Sequence, residues 1–243
     1  VIRVEVAGEV ATLWIDNPGK RNAMTAEMWR AVPVVLSGLS GVRAVVLRGA
    51  GTTFCAGADI GALADIGAAT AGENLAVAAE EALAAFPAPV IAAIEGDCIG
   101  GGCQLALACD LRIAAAGSRF GITPARLGVI YPQTSIRRLT RVAGTAPAQW
   151  LLLTGELVSA AQARSFGLVH EVVEDVHARV ASLAATLVSR SLLSQVAMKE
   201  MLAGPVSDER AEGWMRLVRD SGEAAEGAAA FLARRKPSFP WRP

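Results

Sequence analysis

Two glycine-rich turns hold the residues best suited to chemistry in this 243-residue chain. The first is Phe54-Cys55-Ala56-Gly57-Ala58-Asp59-Ile60, after an apolar run ending near Arg48. The second, Gly96-Asp97-Cys98-Ile99-Gly100-Gly101-Gly102-Cys103-Gln104, leads from the apolar run at 89–94 into a helix. Small residues let a ligand approach the main chain, and a helix N-terminus presents unpaired N–H groups at the positive end of its dipole. Two such groups from separate turns can clamp one developing oxyanion. Glycines also close ordinary tight turns, so either turn alone leaves both readings open. No Gly-Lys-Ser/Thr follows the second turn, which excludes a P-loop, and it matches a dinucleotide fingerprint poorly.

Other chemistries find little support. Cys55, Cys98, Cys103 and Cys109 form no C-x-x-C pair, and the two histidines, His170 and His177, flank an acidic stretch and are expected to be solvated. Neither a zinc site, nor a secreted disulfide framework, nor a Gly-x-Ser-x-Gly nucleophile elbow is expected. Asp110 is expected to be structural, Asp59 to fix its turn by accepting backbone N–H groups, and Arg137 and Arg138 to lie on a helix surface. With 23 basic and 23 acidic residues the net charge is zero, and aromatic residues make up only 5%. A nucleic-acid partner is therefore not expected. Mean hydropathy is high at +0.40, largely from alanine. No run of about 18 apolar residues is present to span a bilayer, so no membrane association is expected. The N-terminus starts as a strand without a signal-peptide core, and a cytoplasmic location is the expectation.

The elements that must position these turns alternate in the first half. Strands are predicted at Val10–Ile15, 44–48, 89–94 and Leu111–Ala115. Between them a helix is predicted at 25–36, with Thr25 as cap and Pro33 as an obstacle, and another at 70–86. This is an α/β pattern with strands buried on both faces. Beyond about 140 the chain turns helical. Thr145 and Ser159 are predicted caps, 168–173 a short strand, and Val176–Val188, 191–202, 207–221 and 223–235 helices. We divide the chain into a core at 1–188 and a helical extension at 189–243. The apolar faces around Trp214, Leu217, Phe231 and Leu232 exceed what the last helices can bury alone, so they are expected to meet the core or another subunit.

The block Asn17-Pro18-Gly19-Lys20-Arg21-Asn22-Ala23-Met24, the Ala-Gly-Ala-Asp turn at 56–59 and the triple glycine at 100–102 resemble the enoyl-CoA hydratase/isomerase (crotonase) family. The likeness continues through Ala108–Ala114, Thr154–Ala160, Gly167-Leu168-Val169 and the closing Phe231–Phe239, in family order across nearly the whole chain. It implies an α/β spiral of ββα units with a C-terminal helical trimerisation region, assembled as a homotrimer or hexamer. It implies an acyl-CoA substrate, with coenzyme A part of that substrate and no separate cofactor or metal. By matching position, the N–H groups of Ala58 and Gly101 would hold the thioester carbonyl. Arg21, Ala23, Ala56, Asp59, Ile60, Gly100 and Pro124 would border the substrate, and Lys236, in the basic run Arg234-Arg235-Lys236, would reach phosphates.

The departures from the family bear on function. Two glutamates hold and deprotonate water in the family's hydratases, and here Gln104 and Pro124 stand at their positions. Gln binds a water without taking its proton, and Pro does neither. The resemblance thus implies enolate stabilisation with poor hydration. The run from Phe120 to Tyr131 looks more like the methylmalonyl-CoA decarboxylase branch, which carries a Thr-Pro and a Tyr at corresponding positions. There Tyr131 would orient a carboxylate or protonate the enolate. That branch has His where this chain has Ala58. The alternatives are a decarboxylase of a malonyl-type thioester and a non-catalytic CoA-binding paralogue.

Overall fold

The computed structural model describes residues 1–62 and 74–243. A hairpin of β1 (Ile2–Ala7) and β2 (Val10–Ile15) turns at Gly8, where φ is +59°. Then come α1 (Ala26–Ser37), β3 (Ala44–Gly49), α2 (Leu75–Ala85), β4 (Val90–Ile94), β5 (Asp97–Ile99), α3 (Gly101–Ala108), β6 (Leu111–Ala115) and β7 (Arg119–Gly121). The short α4 (Pro124–Leu127) precedes α5 (Gln133–Ala143), α6 (Thr145–Thr154), β8 (Val158–Ser159), α7 (Ala160–Ser165), β9 (Glu171–Val173) and α8 (Val176–Val188). The order β1-β2-β3-β4-β6-β9 makes a six-stranded sheet, parallel except at the β1–β2 pair. A second sheet, β5-β7-β8, sets β5 parallel and β8 antiparallel to β7.

The central strands show why the chain reads as near-continuous apolar runs. Successive side chains of a strand face opposite sides of its sheet. Val45, Leu47, Val90, Ala92 and Ile94 enter the main core, whereas Val46, Ile91 and Ala93 meet Val176, Val180 and Ala184 of α8. Both faces are therefore covered, as parallel sheets require.

Local signals operate largely as expected. Thr25 accepts from Met28 N, and Ser159 forms a capping box with Gln162. Helix α1 runs through Pro33 to Ser37. Three expectations are corrected. Gly144, at φ +81°, caps α6 in place of Thr145, because glycine alone enters that backbone region without strain. The strand expected at 168–173 is paired only from Glu171, since the main-chain N–H of Leu168 closes back onto Ala163 O. The helix expected at 70–86 begins at Leu75, capped by Asn74; its expected first residues lie partly outside the described ones.

At the C-terminus α9 (Leu192–Ala203) and α10 (Asp208–Asp220) hold a small cluster of their own, ahead of α11 (Glu223–Leu232). Leu193, Ala197 and Trp214 pack there with Val196, Val218 and Trp241. Trp214 is thus buried within the chain, correcting the expectation that these helices could not cover it, while Phe231 and Leu232 stay 83% and 82% exposed. Two cations tie this region to the sheet. The buried Arg43 donates to Arg190 O at 2.6 Å and Phe239 O at 2.8 Å. Lys199 Nζ donates to Asp110 Oδ2 at 2.7 Å, and that carboxylate also accepts from Val90 N, a structural role as expected.

Candidate active site

The two glycine turns lie against each other. The segment 55–59 is pinned on both sides. Met24 N donates to Gly57 O and Asp59 N to Met24 O, while Cys55 N donates to Asp97 O and Ile99 N to Cys55 O. This pattern uses the neighbours of Ala58 and leaves its own N–H without a partner among the described residues. Gly101 opens α3, so its N–H has no carbonyl four residues back inside the helix. A Cβ on Gly101 would lie 3.4 Å from Ala58 N, and one on Gly57 would lie 3.5 Å from Gly101 N. Two N–H groups without a partner among the described residues therefore lie close together.

The glycines are required sterically. A Cβ on Gly102 would stand 2.4 Å from Cys55 O, and one on Gly101 would stand 2.8 Å from the Trp29 ring. Gly100 takes a φ of +55°. Cys55, Cys98, Cys103 and Cys109 are all buried free thiols around these turns. Burial pushes the thiols of Cys55 and Cys109 up to about 12. Asn22, fully buried, braces the region by donating to Ala50 O and Thr53 O.

The turns border a cavity of about 800 Å³. Arg21, Ala56, Ala58, Ile60, Gly100, Gly101, Gln104, Pro124 and Tyr131 all line it, as does Trp29. Ala23, Asp59 and Lys236 do not. Asp59 accepts from Gly61 N and pairs with Lys20 at 2.7 Å, so it holds its turn as expected. Lys236 is exposed on the C-terminal tail. The Tyr131 hydroxyl lies 3.5 Å from where a Cβ on Gly100 would be, and it has no hydrogen-bond partner among the described residues. Burial holds its phenol well above the usual range, so it stays protonated.

Several lining residues were not singled out from sequence. Arg119 forms a two-pronged pair with Asp97, at 2.8 and 3.0 Å, with Arg21 3.6 Å from the same carboxylate. Two guanidinium groups share one carboxylate, which leaves a net positive edge. Behind Gln104 lies a buried carboxylate. Gln104 Nε2 donates to Glu80 Oε1 and to Ser135 Oγ, each at 2.9 Å. Arg138 pairs with the other Glu80 oxygen. Arg138 is only 8% exposed, correcting the expectation of a helix surface, because Glu80 draws it inward; Arg137 is exposed as expected. Burial pushes Glu80 up to about 7, outweighing Ser135 and Arg138. The histidines have partners: His177 lies 3.1 Å from Glu95, and His170 Nδ1 accepts from Arg112 N.

A protein-family model described as Enoyl-CoA hydratase/isomerase matches residues 5–242. A relative from Mycobacterium bovis, named a probable enoyl-CoA hydratase, is 33% identical, the match covering 99% of this chain and 98% of the relative. A crotonyl-CoA hydratase from Syntrophomonas wolfei is 30% identical, over 98% of this chain and 97% of its own length. Among solved structures, an enoyl-CoA hydratase/isomerase family member superposes with a TM-score of 0.93 at 39% identity, covering 100% of this chain and 97% of that one. With the family model matching residues 5–242 and the fold matched end to end, the chain belongs to the enoyl-CoA hydratase/isomerase family.

Proposed function

We propose that the chain binds an acyl-CoA thioester with its carbonyl oxygen on the N–H groups of Ala58 and Gly101, stabilises the enolate, and hydrates 2-enoyl-CoA poorly. The pair of unpaired N–H groups at the cavity wall carries this reading, since each such donor supplies about 10²–10³ in rate when aimed at a developing oxyanion. The net positive edge at Arg21 and Arg119 suits the phosphates of coenzyme A. Hydration also needs a base for water and an acid for the α-carbon, each contributing about 10²–10⁴. Gln104 and Pro124 line the cavity and supply neither. Asp65 and Glu73, two acids that could substitute, lie outside the described residues. Glu80 does not line the cavity.

A second reading, decarboxylation of a malonyl-type thioester, is favoured by the free Tyr131 hydroxyl beside Gly100. One set of assays tests both. Loss of enone absorbance from crotonyl-CoA is expected at well below about 10 s⁻¹, the ordinary enzyme median, and turnover above that would overturn the poor-hydration reading. If malonyl- or methylmalonyl-CoA is turned over, Tyr131→Phe should cut the rate by about 10²-fold. Full retention by the Phe variant would remove Tyr131 from the chemistry. The exposed Phe231 and Leu232 support a homotrimer or hexamer, which light scattering tests directly.

A further inference from the structure

Gln104 stands three residues after Gly101 on α3, one turn along the same face. A helical side chain leans over the turn N-terminal to it, here towards the Gly101 N–H. If the acyl-thioester reading above holds, an acyl chain anchored there runs past the Gln104 carboxamide. That carboxamide has a donor end and an acceptor end, and its surroundings use only one.

Both Nε2 hydrogens are committed, one to Glu80 Oε1 and one to Ser135 Oγ, each at 2.9 Å. Ser135 Oγ donates its own proton to Glu80 Oε1 at 2.8 Å, so only its lone pairs face the amide. The other Glu80 oxygen is held by Arg138, which also donates to Glu81 Oε1 at 2.6 Å. Glu80, Ser135 and Gln104 are 1%, 4% and 7% exposed, so water does not substitute for these partners. Turning the amide over would press its oxygen against a carboxylate oxygen and a hydroxyl already spent. Gln104 lines the cavity, whereas Glu80 and Ser135 do not.

We propose that Glu80 and Ser135 are positioning residues that hold the Gln104 carbonyl oxygen towards the cavity, making this wall a hydrogen-bond acceptor that selects acyl groups carrying a hydroxyl over those carrying an oxo group or carboxylate there. Gln104 would then choose the substrate by polarity, not by moving a proton.

The test compares binding of 3-hydroxybutyryl-CoA and acetoacetyl-CoA by calorimetry at pH 8, where the Glu80 carboxylate is mostly ionised. The wild-type chain should bind the hydroxy compound about tenfold more tightly, the worth of one well-made hydrogen bond. Glu80→Gln should invert the order. Arg138 only donates, so the new amide oxygen must stay on it, and the new NH₂ turns to Gln104 and forces that amide over. A merely structural role for Glu80 would weaken both ligands together. Gln104→Met, which keeps the volume and removes the acceptor, should erase the preference, and it decides the matter if Glu80→Gln does not fold. Equal binding by the wild type, an unchanged order in Glu80→Gln, or a preference surviving in Gln104→Met would overturn the proposal. Binding of neither thioester would overturn the acyl-CoA reading with it.

Discussion

One wall of the cavity is main chain and the other is side chain, and they differ in what each can lose. The Ala58–Gly101 wall presents N–H groups whose direction is fixed by the hydrogen bonds on either side of them. No side chain takes part, so almost any small residue serves at Ala58, while the glycines that allow the approach cannot be replaced. The Gln104 wall depends on four side chains from three helices, Glu80, Gln104, Ser135 and Arg138. Its function is set by which atom of an amide faces the cavity. The main-chain wall fails by steric exclusion, and the side-chain wall fails by a reversal of polarity.

The largest expected effect breaks the first wall. Gly102→Ala drives a methyl to 2.4 Å from Cys55 O, against backbone that is itself pinned. It should cost about 3 kcal/mol or more, seen as a collapse of the denaturant midpoint. Gly117→Ala, with nothing within 4 Å of the added methyl, should stay within about 0.5 kcal/mol. If the two variants melt alike, close packing of the turns is not what the glycines secure.

Gln104→Glu tests the second wall from inside. It puts a carboxylate where the family resemblance implies one, yet places it beside Glu80, where two carboxylates cannot both ionise cheaply. Crotonyl-CoA hydration should rise less than about tenfold, because Pro124 still provides no second acid. Urea unfolding should show a loss of about 1–3 kcal/mol at pH 8, shrinking at pH 5, where the pair can hold its protons. A fully active, equally stable variant would show that Glu80 does not constrain position 104.

The smallest effect, read per pH unit, is the pH dependence of the wild type. Glu80 sits at about 7 in the folded chain, above its ordinary 4.5, so the folded state holds this proton more tightly than the unfolded state. Its contribution to stability is fully present below about 4.5 and is lost as pH rises through about 7, at no more than about 1.4 kcal/mol per pH unit. Glu80→Gln should flatten that decline in urea titrations between pH 5 and 8. An identical slope in the variant would place the titration elsewhere.

The two walls also differed in how far they could be read from sequence. Glycines 57 and 100–102 announce a close backbone approach locally, and the family resemblance places Ala58 and Gly101 on it. Pro124, Tyr131 and Gln104 fall on the cavity for the same reason. Glu80 gave no such sign beside its neighbour: its side chain is 1% exposed and that of Glu81 is 53%. The two look alike in a run of alanines, and the partners of Glu80, namely Gln104, Ser135 and Arg138, stand 24, 55 and 58 residues away in the chain. Helical phase was the available signal, since Glu80 shares the buried face of Ala76 and Leu83. Spacing alone shows which face is inward, while only the fold shows that an arginine waits there. Arg119 and Asp97 escaped notice similarly, being joined by the register of β5 and β7.

The four buried thiols give the main-chain wall a clock. Cys55 and Cys98 bridge the two turns, Cys103 and Cys109 follow on and after α3, and none is exposed. A thiolate is the reactive form, and burial suppresses it at Cys55, Cys98 and Cys109 alike. A thiol reagent therefore reaches these sulfurs only when the region opens, and its labelling rate counts openings instead of surface encounters. The residues that pack the two glycine turns together are thus also the ones that record how often those turns come apart.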